Sequence, residues 1–256
     1  MTIEPLSGTV LVTRAAEAGA LARTLARHVA QLLRQDLERR PRALLIVSGG
    51  STPIPFLQAL SSEPLPWSRV DATLADERWV PADHAQSNEA LVRGHLLQGQ
   101  AVLARFTPLF TGHALPAEGL AEIETRLAVL PWPATACVLG VGSDGHTASL
   151  FPGDSAWSAW WGGHGQISTP TSAARVLTVP APSAPNIPVP RVSLSPSALR
   201  YAAVLIVHAT GRAKQAVLAR AQASNTVRDW PVALAWSMAP GELSHLPVCE
   251  WFISDD

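Results

Sequence analysis

Ala43-Leu-Leu-Ile-Val47, running directly into Ser48-Gly-Gly-Ser-Thr-Pro53, decides the fold. Five consecutive apolar residues suit a strand covered on both faces, because side chains pointing either way must meet other apolar groups. The Gly-rich segment ends the strand, and a short helix follows. Upstream, Leu21, Leu25, Val29, Leu32, Leu33 and Leu37 recur at helical spacing with arginines on the other face. A helix is therefore expected over residues 16–40, closed by Pro41 and preceded by a short strand at 9–13.

The same alternation continues downstream. Val70–Leu74 reads as a strand that opens into a polar loop at Asp76, and Ser87 is a suitable N-cap for a helix reaching residue 97. An amphipathic helix is expected over 118–130, a strand over 134–141, and then Gly142-Ser-Asp-Gly-His146. Strands at 204–207 and 248–253 flank a helix from about 212 to 223. Alternating strands and helices imply an α/β fold with a mostly parallel sheet and helices on both faces. In such sheets the ligand sits outside the carboxyl ends of the strands, where the polar Gly-rich segments fall. Residues 153–190 break the pattern with Trp157, Trp160, Trp161, Gly162, Gly163 and many Pro and Ser. They read as a loop or lid with one strand at 175–179, within a single domain over 1–256.

Of the 256 residues 47% are apolar, which excludes global disorder. The net charge of −1, without a long run of one sign, argues against nucleic acid as a partner. Every apolar run is interrupted before it reaches membrane-spanning length, and the first residues lack a leader pattern. Two cysteines, Cys137 and Cys249, make no disulfide framework. These features point to a cytoplasmic protein.

Four segments carry the chemistry. Ser48, Gly49, Gly50, Ser51 and Thr52 could present backbone N–H groups and hydroxyls to a phosphate, or form an ordinary turn capped by Thr52. Asp76-Glu77-Arg78 could face the same cleft, Asp76 toward a sugar hydroxyl and Arg78 toward an anion, or form a surface ion pair. His146 lies between glycines and a helix start, with Asp144 two residues away. Histidine can take a proton from water and return it, and the aspartate could fix its tautomer or hold a substrate hydroxyl, or the two could be a helix-capping Asp and an exposed His. Arg191 and Lys214 could supply two cations to a phosphate ester. There is no G-x-S-x-G elbow for an acyl-serine route and no zinc-spaced cluster, so no metal is called for.

Taken together, SGGSTP, DERWVP with the following SN, GVGSDGHTASLFP, and PRVSLS with the following GRAK resemble the 6-phosphogluconolactonase family in order and approximate spacing. The resemblance implies a Rossmann-like, doubly wound domain related to glucosamine-6-phosphate deaminases and ribose-5-phosphate isomerases. It implies a hydrolase of the oxidative pentose phosphate pathway that opens 6-phosphoglucono-1,5-lactone. His146 would be the general base, Asp144 would orient it or bind the substrate, and Arg78 and Asp76 would line the lactone end. Ser48, Gly49, Gly50, Ser51 and Thr52, with Arg191 and Lys214, would hold the phosphate. The expected partner is this small phosphorylated lactone, with no cofactor, nucleic acid or membrane, and the chain a monomer or weak homodimer. The deaminase–isomerase branch carries a Glu five residues beyond the His, where this chain has Phe151. That difference favours the lactonase over a deaminase–isomerase-like enzyme, and the His146–Asp144 pair argues against a noncatalytic sugar-phosphate-binding protein.

Overall fold

A computed structural model describes residues 3–6, 10–155, 157, 174–183, 186–224, 226–237 and 247–256. Strands are β1 (Ile3–Leu6), β2 (Val10–Ala15), β3 (Ala43–Val47), β4 (Val70–Leu74), β5 (Asp76–Arg78) and β6 (Arg105–Thr107). They continue as β7 (Ala134–Leu139), β8 (Val176–Val179), β9 (Arg191–Leu194), β10 (Ala202–Thr210) and β11 (Val248–Ser254). The α-helices are α1 (Ala18–Leu37), α2 (Ile54–Ser61), α3 (Asn88–His95), α4 (Pro116–Ala128), α5 (Pro196–Arg200) and α6 (Arg212–Ser224).

The main sheet has the order β1-β2-β11-β10-β7-β3-β4-β6. Its pairings are parallel from β2 through β6, and only β1 joins antiparallel, at the β2 edge. All five residues of β3 are fully buried although they alternate between faces, so both faces of the sheet are covered there. On α1, Leu21, Leu25, Val29 and Leu33 are fully buried, and Ala22, Ala26 and Ala30 fill the ridge beside them. These small residues let the helix lie close to the sheet. No helix among the described residues is long and apolar enough to cross a membrane.

From β3 the chain moves outward to β4 and β6, returns to β7 beside β3, and then proceeds to β10 and β11. The strand order thus reverses between β3 and β7, and a crevice is expected at their carboxyl ends. The Ser48 N–H donates to Val138 O at 3.1 Å, joining the two strands where they open into that crevice.

Several sequence expectations need adjustment. The second sheet, antiparallel in the order β5-β9-β8, was not anticipated. β8 is the strand expected at 175–179, whereas β5 and β9 are three and four residues long, partly polar and paired across the chain from Asp76 to Ser193, so no local period betrays their pairing. The 134–141 strand ends at Leu139, and the one expected at 204–207 extends over Ala202–Thr210. Trp157 is buried and donates its ring N–H to Phe151 O at 2.7 Å, so it belongs to the core. Trp160, Trp161, Gly162 and Gly163 of the proposed lid lie outside the described residues.

Candidate active site

The turn after β3 carries the first group of side chains. Gly50 has φ +92°, a conformation that suits glycine. A Cβ on Gly49 would come within 1.8 Å of Asn88 Oδ1, so this position must stay bare for Asn88 to pack against it. Among the described residues the N–H groups of Gly49, Gly50, Ser51 and Thr52 have no acceptor, and Ser48 Oγ is buried without a partner. Lys214, in the first turn of α6, crosses from β10 and donates from Nζ to Thr52 Oγ1 at 2.7 Å. Burial lowers its pKa. Free N–H groups and a cation around a helix start favour an anion.

The second group lies on β5 and the start of α3. Glu77 is fully buried, and its carboxylate accepts from the N–H groups of Arg78, Asn88 and Glu89 and from Ser87 Oγ, at 2.7–3.1 Å. It thereby ties β5 to the amino end of α3. Ser87 caps that helix as expected, accepting from the Ala90 N–H at 3.1 Å. Arg78 donates from Nη1 to Asn88 Oδ1 at 3.0 Å and to Gln86 O at 2.9 Å. The Asn88 amide donates in turn to Asp76 O at 2.8 Å. Burial pushes the Glu77 carboxyl up, to about 7, against the pull of its three backbone N–H donors. A carboxyl with a folded pKa above its unfolded value of 4.5 takes up a proton on folding between those limits. Its contribution is fully present below 4.5 and is lost as the pH rises through 7. The stability of the wild type relative to Glu77→Gln should therefore improve as pH falls from 8 to 5, measured by denaturant melts. A difference that does not move with pH would refute the assignment.

The third group follows β7. The Thr147 hydroxyl donates to Gly140 O at 2.8 Å and the Gly142 N–H to His146 O at 2.9 Å, folding the loop onto itself. Gly145, at φ +86°, lies over the Trp230 ring, which a Cβ would meet at 2.5 Å. His146 Nδ1 and Asp144 Oδ1 are 2.5 Å apart, and the same oxygen accepts the His146 N–H at 3.1 Å. Asn186 donates from Nδ2 to Asp144 Oδ2 at 3.2 Å. Burial by itself raises the Asp144 carboxyl, but the hydrogen bonds and charge of His146, with the Asn186 amide, outweigh it and hold the group well below its ordinary range. An ionised carboxylate can only accept, so Nδ1 carries a proton, and in the neutral imidazole Nε2 keeps its lone pair. The Phe151 ring packs on the imidazole, with centroids 4.9 Å apart.

All three groups meet in one cleft of about 240 Å³ at the carboxyl ends of β3 and β7. The Gly-rich turn, Asp76, Arg78, His146, Arg191 and Lys214 all line it. The model of a family described as glucosamine-6-phosphate isomerases/6-phosphogluconolactonase matches residues 16–244. The chain belongs to that family. A 6-phosphogluconolactonase of Pseudomonas aeruginosa is 44% identical, over 82% of this chain and 84% of the relative. One from Pseudomonas putida is 42% identical over 89% of both chains. The crystal structure of a 6-phosphogluconolactonase from Shewanella baltica superposes with a TM-score of 0.85 at 33% identity, covering 97% of this chain and 99% of the other. A monomeric glucosamine-6-phosphate deaminase, at 15% identity and a TM-score of 0.69, shares the fold.

Within this cleft the residues singled out from sequence converge, but not all on the same neighbours. Lys214 bonds to the Gly-rich turn. Arg191, on β9, stands 4.0 Å from Asp76 Oδ2 and near Ser149 Oγ, with its guanidinium over Phe151 at 5.4 Å. Burial lowers its pKa, an effect the charge of Asp76 opposes. Asp76 also accepts from Ser149 Oγ at 2.5 Å. Asp144 does not line the cleft but holds His146 from behind. Sequence reading assigned no role to Glu77, Asn88, Ser149 or Asn186. All but Asn186 lie inside quoted motifs, so that motif membership was their only signal; Asn186 had none. With Arg78, Arg191 and Lys214 against one carboxylate, Asp76, the cleft carries net positive charge suited to a dianion. Among the described residues no three His, Cys, Asp or Glu side chains converge as a metal ligand set.

Proposed function

We propose that this chain hydrolyses 6-phospho-D-glucono-1,5-lactone to 6-phospho-D-gluconate, a step of the oxidative pentose phosphate pathway. One observation carries the reading: the Asp144–His146 pair opens into the same cleft as the Gly-rich turn with its Lys214. A proton acceptor and an anion clamp in one cleft suit a substrate that is a phosphate at one end and an acyl carbon at the other. The turn, Lys214 and Arg191 hold the phosphate, and C1 of the lactone lies toward His146.

Asp144 keeps the Nδ1 proton in place, so Nε2 takes a proton from a water as its oxygen attacks C1. The carbonyl oxygen gains negative charge, which the Arg78 guanidinium stabilises. As the tetrahedral centre collapses, the bond from C1 to the ring oxygen breaks and the imidazolium returns its proton to that oxygen. The new carboxylic acid then ionises to solvent. No electrons are exchanged, and no cofactor enters the scheme. Phe151 occupies the position where the deaminase branch has a carboxylate, and its ring packs on His146, which disfavours the aldose–ketose reading. Two free, buried cysteines are in keeping with the cytoplasm.

The deciding experiment is an assay on lactone generated in situ. Disappearance no faster than the uncatalysed rate would end the proposal. Lys214→Ala should raise KM by about tenfold to a hundredfold, the worth of a charged hydrogen bond, with kcat within a few-fold. An unchanged KM would remove Lys214 from the phosphate site.

A further inference from the structure

His208 lies on β10, two residues before that strand ends, and is among the residues that line the cleft with Lys214. It is only 2% exposed, and neither ring nitrogen has a hydrogen-bond partner among the described residues. An imidazole always carries at least one N–H, and buried groups of that kind are almost always paired. Phe56 of α2, the helix that follows the Gly-rich turn, meets the ring edge-on with centroids 6.2 Å apart. If the position only had to fill space against Phe56, an apolar side chain would do so without stranding two polar atoms.

Two features point to what the nitrogens are for. The cleft that His208 lines also holds groups that await an anion: the N–H groups of the turn, Ser48 Oγ and the Lys214 ammonium. Burial, and then the charge of Lys214, hold the ring down to about 4, so at neutral pH it is uncharged. An uncharged donor next to a lysine adds direction to an anion site without a second cation to repel the first.

We infer that His208 is a further substrate-binding residue, which donates an imidazole N–H to the phosphate held by Lys214 and the 48–52 turn. The inference rests on the phosphate reading proposed above, and the test separates the two. His208→Leu, His208→Gln and Lys214→Ala are assayed side by side on lactone generated in situ. His208→Leu should raise KM by about tenfold or more, the effect of losing a hydrogen bond to a charged group, and leave kcat within about twofold. His208→Gln, which restores an N–H donor, should recover part of the loss. In parallel, inorganic phosphate titrated into wild-type protein carrying nitrogen-15 histidine should shift the His208 ring resonances, a readout that needs no substitution. If Lys214→Ala raises KM while His208→Leu does not, His208 is excluded and the phosphate site stands. If neither variant moves KM, both readings fall. His208 resonances unmoved by saturating phosphate would also overturn the role given to His208.

Discussion

Replacing His146 by alanine should lower kcat for lactone hydrolysis by about 10²–10⁴-fold, the usual worth of a positioned acid–base group. KM should stay within a few-fold, because the turn and Lys214 are untouched. The measurement is a steady-state assay corrected for uncatalysed hydrolysis, with circular dichroism to show that the variant is folded. The expectation follows from geometry. The imidazole is fixed at Nδ1 by Asp144 at 2.5 Å and packed by Phe151 on its face, so Nε2 is the atom free to act as base. A folded His146→Ala enzyme with near wild-type kcat would mean that another group or bulk water activates the nucleophile.

Gly142→Ala should cost about a hundredfold in kcat with little change in KM, although residue 142 has no side chain to take part in chemistry. A Cβ there would lie 2.1 Å from His146 Nδ1, 2.2 Å from Cε1 and 2.7 Å from Asp144 Oδ1. Neither ring nor carboxylate can give way without disturbing the other, since they are bonded together and Asp144 is further held by Asn186. A displacement of about 1 Å at a catalytic group is enough to lose that much rate. The contrast with Lys214→Ala is the informative part: one variant should act on kcat, the other on KM. An active Gly142→Ala enzyme with a raised KM would place residue 142 at the binding end of the cleft instead.

How much of this could be read without coordinates depends on how local each signal is. The strands Ala43–Val47 and Val70–Leu74 were legible residue for residue, the first as an unbroken apolar run and the second as apolar residues alternating with Asp71 and Thr73, both of them local patterns. The face of α1 was legible for the same reason, since Leu21, Leu25, Val29 and Leu33 repeat at helical spacing. The positions of the polar turns after β3 and β7 followed from where those runs stop. The partition of the second sheet did not, nor did the hairpin partner β1 or the short edge strand β6. Their pairing energy comes from segments about 100 residues away, or from strands too short to show a period.

The site divides along the same line. Sequence by itself determined which groups are present: a histidine with an aspartate two residues before it, a glycine-rich turn, and the cations at 78, 191 and 214. It determined as well that the turns follow strands, and hence that they face the ligand edge of a parallel sheet. Only the tertiary structure decided which groups meet. It gave Lys214 to Thr52 and set Arg191 beside Asp76. It pressed Asn88 against Gly49, bound Glu77 to the end of α3, brought Asn186 to Asp144, and left the buried His208 without a hydrogen-bond partner among the described residues. The physical reason is range. Periodicity and turn chemistry act over a few residues, whereas a contact between residues 52 and 214 exists only once the strand order β10-β7-β3 brings their loops to one edge.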